Sequence, residues 1–468
     1  MIATHEGREN RPGGRWSSPK LLKDLLRLAA IERAIAHVIA GWVPKVPELD
    51  DKLAIAAVFE DSIARATALR NRALVLLERD QSGLSVDPSC VQPLLTLDCS
   101  PSFEAVVDGL LCEVPYFLLS RYRVLAGQLD SLLDNRLIVM VSAAIDALDS
   151  ATSPIGTSVS HRTRSGPLST SLELAWNSDS GRRVPLEQVL WNPLDRVPVP
   201  ARPAGRSRPA MGERAHFRKG SRLTREDISG ELNDNVMAEL SALELLCRSS
   251  YEHPQQGWKM HLALARHATD EARHAAIFRR LLCVNGIDES TLTQHGSNYE
   301  FGYEFPECIA GSEHELVWRL LILCTVLEAL AVDKLPVEIG GRDYVGQTEF
   351  ARALDYIAAD ELFHTENGLQ ITRLLCDKLN LDPMLERERV HGRFFGRQRD
   401  VRTAYLQADA QRAAAEIAVL EAPDPDGVPY RSRTEVELRL RSSFTVDDCE
   451  QVERWQYNPV RHEMLGNR

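Results

Sequence analysis

Two tetrads of the form Glu-x-x-His constrain this chain more than any other feature. The first is Glu271-Ala-Arg-His274; the second, Glu361-Leu-Phe-His364, begins 90 residues later. On an α-helix, residues i and i+3 share a face. Each tetrad therefore aims one carboxylate and one imidazole at a single point.

Two further carboxylates complete the pattern. Glu239 precedes Glu271 by 32 residues, and Glu328 precedes Glu361 by 33. Facing residues of an antiparallel helical hairpin are separated by two half-helices and a loop, roughly 30 residues. Two hairpins, each carrying Glu…Glu-x-x-His at nearly equal spacing, thus build one pseudo-twofold site. Bundles that hold two metal ions combine this pair of motifs with one Glu from each of two other helices. The expected ligands are Glu239, Glu271, His274, Glu328, Glu361 and His364. Glu244 competes with Glu239, and Asp333 with Glu328. Five residues turn a helix through about 500°, so the members of each pair cannot face the same way. The matched spacings of 32 and 33 select Glu239 and Glu328.

Residues beside the motifs have supporting roles open to them. Asp270 and Asp360 each precede a motif Glu, about 100° round the helix. Metal-bound histidines commonly give their other nitrogen to a carboxylate. In a pseudo-symmetric arrangement Asp360 would serve His274 and Asp270 would serve His364; plain surface ion pairs are the alternative. His267, four residues before Glu271, lies on the ligand face, either lining a substrate pocket or packed in the core. Cys324 lies on roughly the face of Glu328, as a core residue or beside the site.

Four carboxylates and two imidazoles place about four negative charges around two divalent cations. Oxygen and nitrogen donors of this kind suit iron, or manganese, better than a thiolate-seeking metal. Carboxylates shift between terminal and bridging modes, so such a site tolerates a change of oxidation state. Six protein ligands for two ions leave positions where O2 can bind and be reduced. No P-loop or dinucleotide fingerprint is present, so electrons are expected from a separate partner or from the substrate.

The 468 residues allow two or three domains. Hydrophobic content of 44% with 26% charged residues is that of a globular protein. No apolar run approaches the ~20 residues of a membrane helix, and the polar first fifteen residues lack a signal-peptide core. A cytoplasmic location with no membrane contact is expected. Nine scattered cysteines without a C-x-x-C pair fit reduced thiols. A net charge of −12 argues against a dedicated nucleic-acid binder. One run opposes it: from Arg202 to Arg225 there are eight Lys/Arg and one acid, Glu213. This run reads as a solvated linker, a clamp over an anionic substrate, or a contact for an acidic partner.

The chain divides into a disordered N-terminus (1–17), an N-terminal helical domain (18–150), a Pro/Ser/Arg-rich linker (151–222), a metal domain (223–395) and a C-terminal extension (396–468). In the N-terminal domain, apolar residues recur at helical spacing from Ser18 until Gly41 and Pro44. A second long helix is expected over Asp50–Arg79, and one or two more over Ser102–Leu148, interrupted near Pro115. Laying Leu53–Ala66 over Leu262–Ala275 sets Ser62 against Glu271 and Arg65 against His274, so this domain lacks the ligand types. Glu32 and His37 are read as surface or capping residues.

In the linker, the Pro-rich run from Val197 to Pro209 cannot continue a helix, and Leu186–Trp191 is a candidate short element. The four helices of the metal domain are expected from Thr224 to Tyr251, from near Pro254 to Cys283, from Ser312 to before Pro336, and from Thr348 to Leu379. Asn285-Gly286 stops the second, and Asp382-Pro383 closes the fourth. A further helix is expected near Ala404–Leu420.

These residues resemble the ferritin-like superfamily of di-metal carboxylate proteins. Residues 195–395 look most like its family known as domain of unknown function 455. The matching stretches are E-L-S-A-L-E from Glu239, D-E-A-R-H from Asp270, V-L-E-A-L-A-V-D from Val326 and D-E-L-F-H from Asp360, with a similar Pro/Arg-rich lead-in. Met237 stands where that family often has His, and the loop from Ser297 to Glu307 diverges. The resemblance implies an all-α chain: a ferritin-like four-helix bundle with an additional N-terminal helical domain, ligated by the six residues named above. The expected activity is that of a non-haem di-iron, or iron/manganese, oxidase or oxygenase that uses O2 on a small organic substrate. Alternatives are a tRNA-modifying hydroxylase and an iron-handling or peroxide-detoxifying protein. A ferritin cage is disfavoured by the long N-terminal appendage, whereas a homodimer is compatible.

Overall fold

A computed structural model describes residues 19–46, 49–78, 80, 83–152, 166–190, 225–287, 314–329 and 347–394, together with 331–333, 335, 336, 339, 444 and 446. The described residues are predominantly α-helical. The one sheet among them pairs Ser85–Val86 antiparallel with Val184–Pro185. No described helix is long and apolar enough to cross a membrane. Two compact units are formed, Met1–Pro203 with Leu246–Thr269, and Ala204–Leu245 with Asp270–Arg468. Two of the three divisions, at 245/246 and 269/270, fall within α9 (Arg225–Glu252) and α10 (Trp258–Val284).

The first unit is built on α1 (Pro19–Trp42), which packs along α3 (Phe59–Leu76). Every residue of α1 from Asp24 to Trp42 is buried. A helix enclosed on all sides must satisfy its polar groups internally, and the buried charged side chains of this one are each paired. Asp24 accepts from Gln128 Nε2 at 2.9 Å. Arg27 donates to the carbonyls of Trp176 and Ser178. Arg33 reaches the carbonyls of Leu186, Glu187 and Pro254 at 2.8–3.0 Å and lies over the Trp258 ring. Glu32 and His37, expected at the surface, are buried instead. Glu32 is paired with Arg65, and His37 stacks on Tyr251 with ring centroids 4.5 Å apart.

Three expectations for this unit change. The helix over Asp50–Arg79 is two, α2 (Leu49–Ala57) and α3, broken by a turn at Val58. After α4 (Gln92–Asp98), the interruption between Ser102 and Leu148 is a widened π-turn, Gly109–Glu113, following α5 (Phe103–Asp108); Pro115 sits in the first turn of α6 (Val114–Ala126), where its missing N–H costs nothing. α7 follows over Asn135–Thr152. Part of the expected linker is folded: Pro167–Asn177 forms α8, started by a proline and buried through Leu172 and Trp176, one turn apart. Leu186–Gln188 forms a single 3-10 turn.

In the second unit, α11 (Glu315–Ile322) runs into a π-turn at Leu323–Leu327 that delivers Glu328. α12 (Thr348–Leu379) packs against both and ends on Asn380 in the left-handed region, φ 55°, with Leu381 N–H bonded to the Cys376 carbonyl. Asp382-Pro383 begins a further helix: the Asp382 carboxylate caps the N–H groups of Met384 and Leu385, and α13 spans 383–394. Phe444 is buried in a cluster with Ala329 and Leu369. The N-terminal residues 1–17, the Val197–Pro209 run, the basic run up to 224, the 297–307 loop and the 404–420 helix lie outside the described residues.

Candidate metal centre

Four helical segments of the second unit bring the motif residues together: Glu239 from α9, Glu271 and His274 from α10, Glu328 after the π-turn, and Glu361 and His364 from α12. Glu271, His274 and His364 are fully enclosed, and Glu361 and Glu328 are buried. Glu239, Glu271, His274 and Glu361 each place one ligand atom within 4.8 Å of the others, and Glu271, Glu328 and His364 do the same. Glu271 is common to both groups. Glu244 and Asp333 are also buried but belong to neither. His267 is buried and lies one helical turn before Glu271 on α10.

The imidazoles are held crosswise. His274 Nε2 lies 3.1 Å from Asp360 Oδ2, and His364 Nε2 lies 3.2 Å from Asp270 Oδ2. A carboxylate only accepts, so each Nε2 carries its proton and donates outward. Each Nδ1 consequently faces inward. His274 Nδ1 is 3.6 Å from Glu361 and 3.8 Å from both Glu239 and Glu271. His364 Nδ1 is 3.1 Å from Glu271 and 3.6 Å from Glu361. The ring centroids are 5.7 Å apart. Arg273, between the first motif's Glu and His, bridges Asp270 at 2.7 Å and Asp360 at 2.8 Å. The sequence signal for that bridge was available: Arg273 follows Asp270 by three residues, one turn on the same face.

Burial and mutual repulsion dominate the electrostatics. Burial, with the Glu271 carboxylate alongside, pushes Glu239 well above the usual carboxylate range. Burial and Glu328 do the same to Glu361. Burial opposes charge on the imidazoles, but carboxylates outweigh it. Asp360, Glu239 and Glu271 hold His274 well above its ordinary value, and Asp270 and Glu271 raise His364 to about 9. Asp360 is lowered, because His274 and Arg273 outweigh its desolvation. Protons thus hold the metal-free cluster together. A set of buried carboxylates and inward imidazole nitrogens with no Lys or Arg among them fits divalent cations, which would take the place of those protons.

Two other residues frame the centre. The Cys324 thiol is pushed well up by burial and then by Glu328, Glu271 and Glu361. It lies against Gly368, one turn beyond His364, where a Cβ would stand 2.1 Å from its sulfur. No protein-family model, curated protein or solved structure matches the chain.

Proposed function

We propose that this chain is a di-metal carboxylate oxidoreductase with a ferritin-like four-helix bundle, which uses O2 to oxidise a small organic molecule. The observation that carries the reading is the crosswise centre. Two Glu-x-x-His motifs lie on different helices, each His is fixed by the other motif's Asp, and both turn Nδ1 toward shared buried carboxylates. Glu239, Glu271, His274 and Glu361 would hold one ion, and Glu271, Glu328 and His364 the other. Iron is the expected metal, with manganese as substitute, because the donors are oxygen and nitrogen. When bound, the metal pair supplies electrons and open coordination positions for O2.

The chain's own residues do the rest. Asp270 and Asp360 keep the Nε2 protons of His364 and His274, and thereby the inward tautomer. The enclosed helix faces exclude water, which protects reactive oxygen chemistry from side reactions. A cytoplasmic setting, a separate electron donor and a small-molecule partner belong to this reading.

Metal analysis of the purified full chain, beside Glu271→Ala and Glu361→Ala, is the test. About two iron atoms per chain in the wild type, lost in both variants, is the expected outcome. O2 consumption coupled to an oxidised organic product then establishes an oxygenase or oxidase. Rapid ferrous oxidation with no organic product would favour iron handling instead. No metal in the wild type after anaerobic ferrous loading would overturn the reading.

A further inference from the structure

The π-turn that delivers Glu328 is gripped from two sides. Glu328 N–H bonds to the Leu323 carbonyl, five residues back, so Leu323–Leu327 holds one residue more than a regular turn. That insertion rotates Glu328 by about 100° from the direction an unbroken α11 would give it. On one side, the Cys324 side chain fills the space left by the missing Cβ of Gly368. On the other, Thr325, fully buried three residues before Glu328, meets His391 of α13, itself 1% exposed.

The Thr325–His391 contact has a fixed direction. Thr325 Oγ1 donates its single proton to the Leu321 carbonyl, one turn back. Its 3.0 Å bond with His391 Nε2 must therefore be donated by the imidazole. The chain runs His391 Nε2–H to Thr325 Oγ1–H, inside the widened turn, to the Leu321 carbonyl two residues before it. A threonine bonding back to the i−4 carbonyl bends a helix locally. α13 is tied to the same helix at a second point: Trp318 Nε1 donates to the buried Glu386 at 2.7 Å, and Arg393 lies over the Trp318 ring. Valine would fill the Thr325 site equally well. A polar pair buried there has a cost that packing alone does not explain.

We infer that His391 and Thr325 are positioning residues. Their hydrogen-bonded chain holds the π-turn in register and so aims Glu328 at its metal. This rests on the reading of Glu328 as a ligand under the proposed function. Glu328 belongs to one of the two ligand groups, so loosening the turn acts on one ion and spares the other.

The test is titration of the full metal-free chain with cobalt(II), read by absorption and stoichiometry. The variants are Thr325→Val, Thr325→Ser, His391→Leu and His391→Gln. The expected result is two ions in the wild type. In Thr325→Val and His391→Leu, the first ion binds normally and the second about tenfold more weakly, the usual scale for a group that orients a ligand. Serine keeps the hydroxyl and glutamine keeps a donor near the Nε2 position, so both restore wild-type binding. If His391→Leu fails to fold, the isosteric Thr325→Val carries the test. Two ions bound with unchanged affinity in Thr325→Val would overturn the inference and leave the site standing. A wild-type chain that takes up no cobalt would overturn both.

Discussion

The two units each bury carboxylate charge, and they neutralise it in opposite ways. In the first, Glu32 is fully enclosed and receives Arg65 at 2.7 and 3.1 Å and the Tyr122 hydroxyl at 2.7 Å. The compensating cation is part of the chain. In the second, four carboxylates meet only two imidazoles, and protons fill the deficit. Arg65 occupies the position that the sequence alignment sets against His274, and Glu32 precedes it by 33 residues. A guanidinium is always charged and has no lone pair, whereas a neutral imidazole offers one. The first unit thus has a permanent ion pair where the second presents an imidazole able to offer a lone pair.

The π-turns differ in the same sense. Gly109–Glu113 ends in a carboxylate that accepts from the Ser169 N–H at 2.9 Å near the start of α8, whereas Leu323–Leu327 sends Glu328 into the centre. Similar local geometry ties two helices together in one unit and adds a carboxylate to a buried cluster in the other.

The largest expected effect removes the built-in cation. Arg65→Met leaves Glu32 buried and uncompensated, and should cost about 3–5 kcal/mol in chemical denaturation. A loss below 1 kcal/mol would show that water reaches Glu32 and would dissolve the contrast. Next is metal: ferrous ions at a thousandfold excess over Kd should add about 4 kcal/mol. Amide exchange should slow in α12 and stay unchanged in α1. Equal slowing in both would break the distinction between the units. Gly368→Ala is smaller, about 1–3 kcal/mol of overpacking against Cys324, seen as a lower Tm with weakened metal uptake.

The last comparison reads a sign rather than a size. In the first unit, burial and the Arg33 charge push His261 down to about 3. Its folded value lies below the unfolded one of about 6.5, so stability is lost as pH falls from 6.5 toward 3. In the second unit without metal, His364 is raised to about 9, so its contribution is full below about 6.5 and is lost as pH rises through 9. Amide exchange across pH should show the two units weakening in opposite directions. Metal loading should abolish the alkaline loss, because bound cations no longer need the protons.

Much of the centre was legible because helical periodicity and hairpin length fix it: spacings of 32 and 33 pick Glu239 over Glu244 and Glu328 over Asp333. The crosswise Asp–His bonds follow from the same register. The described α12 has the bounds read from sequence, and it ends on Asn380 in the left-handed conformation just before Asp382-Pro383. What escaped had no local signature. The break at Val58 falls in an alanine-rich run with no glycine or proline, and the π-turn at Leu323–Leu327 falls in a run rich in Leu and Val. The enclosure of Glu32 and His37 depends on α1 being covered on every side, which a sequence stripe does not reveal. α8 hid in a Ser-rich stretch because its apolar face is only Leu172 and Trp176 wide.

The inner residues of the two motifs repeat, but the residue before each histidine does not: Arg273 stands in one and Phe363 in the other. That single guanidinium binds both Asp270 and Asp360 and rests 5.3 Å from the centroid of the Tyr356 ring. An almost twofold interior is thus ringed by a one-handed field. The two halves of the cluster therefore sit in unlike electrostatic surroundings, so any cations taken up there should bind with unequal affinity.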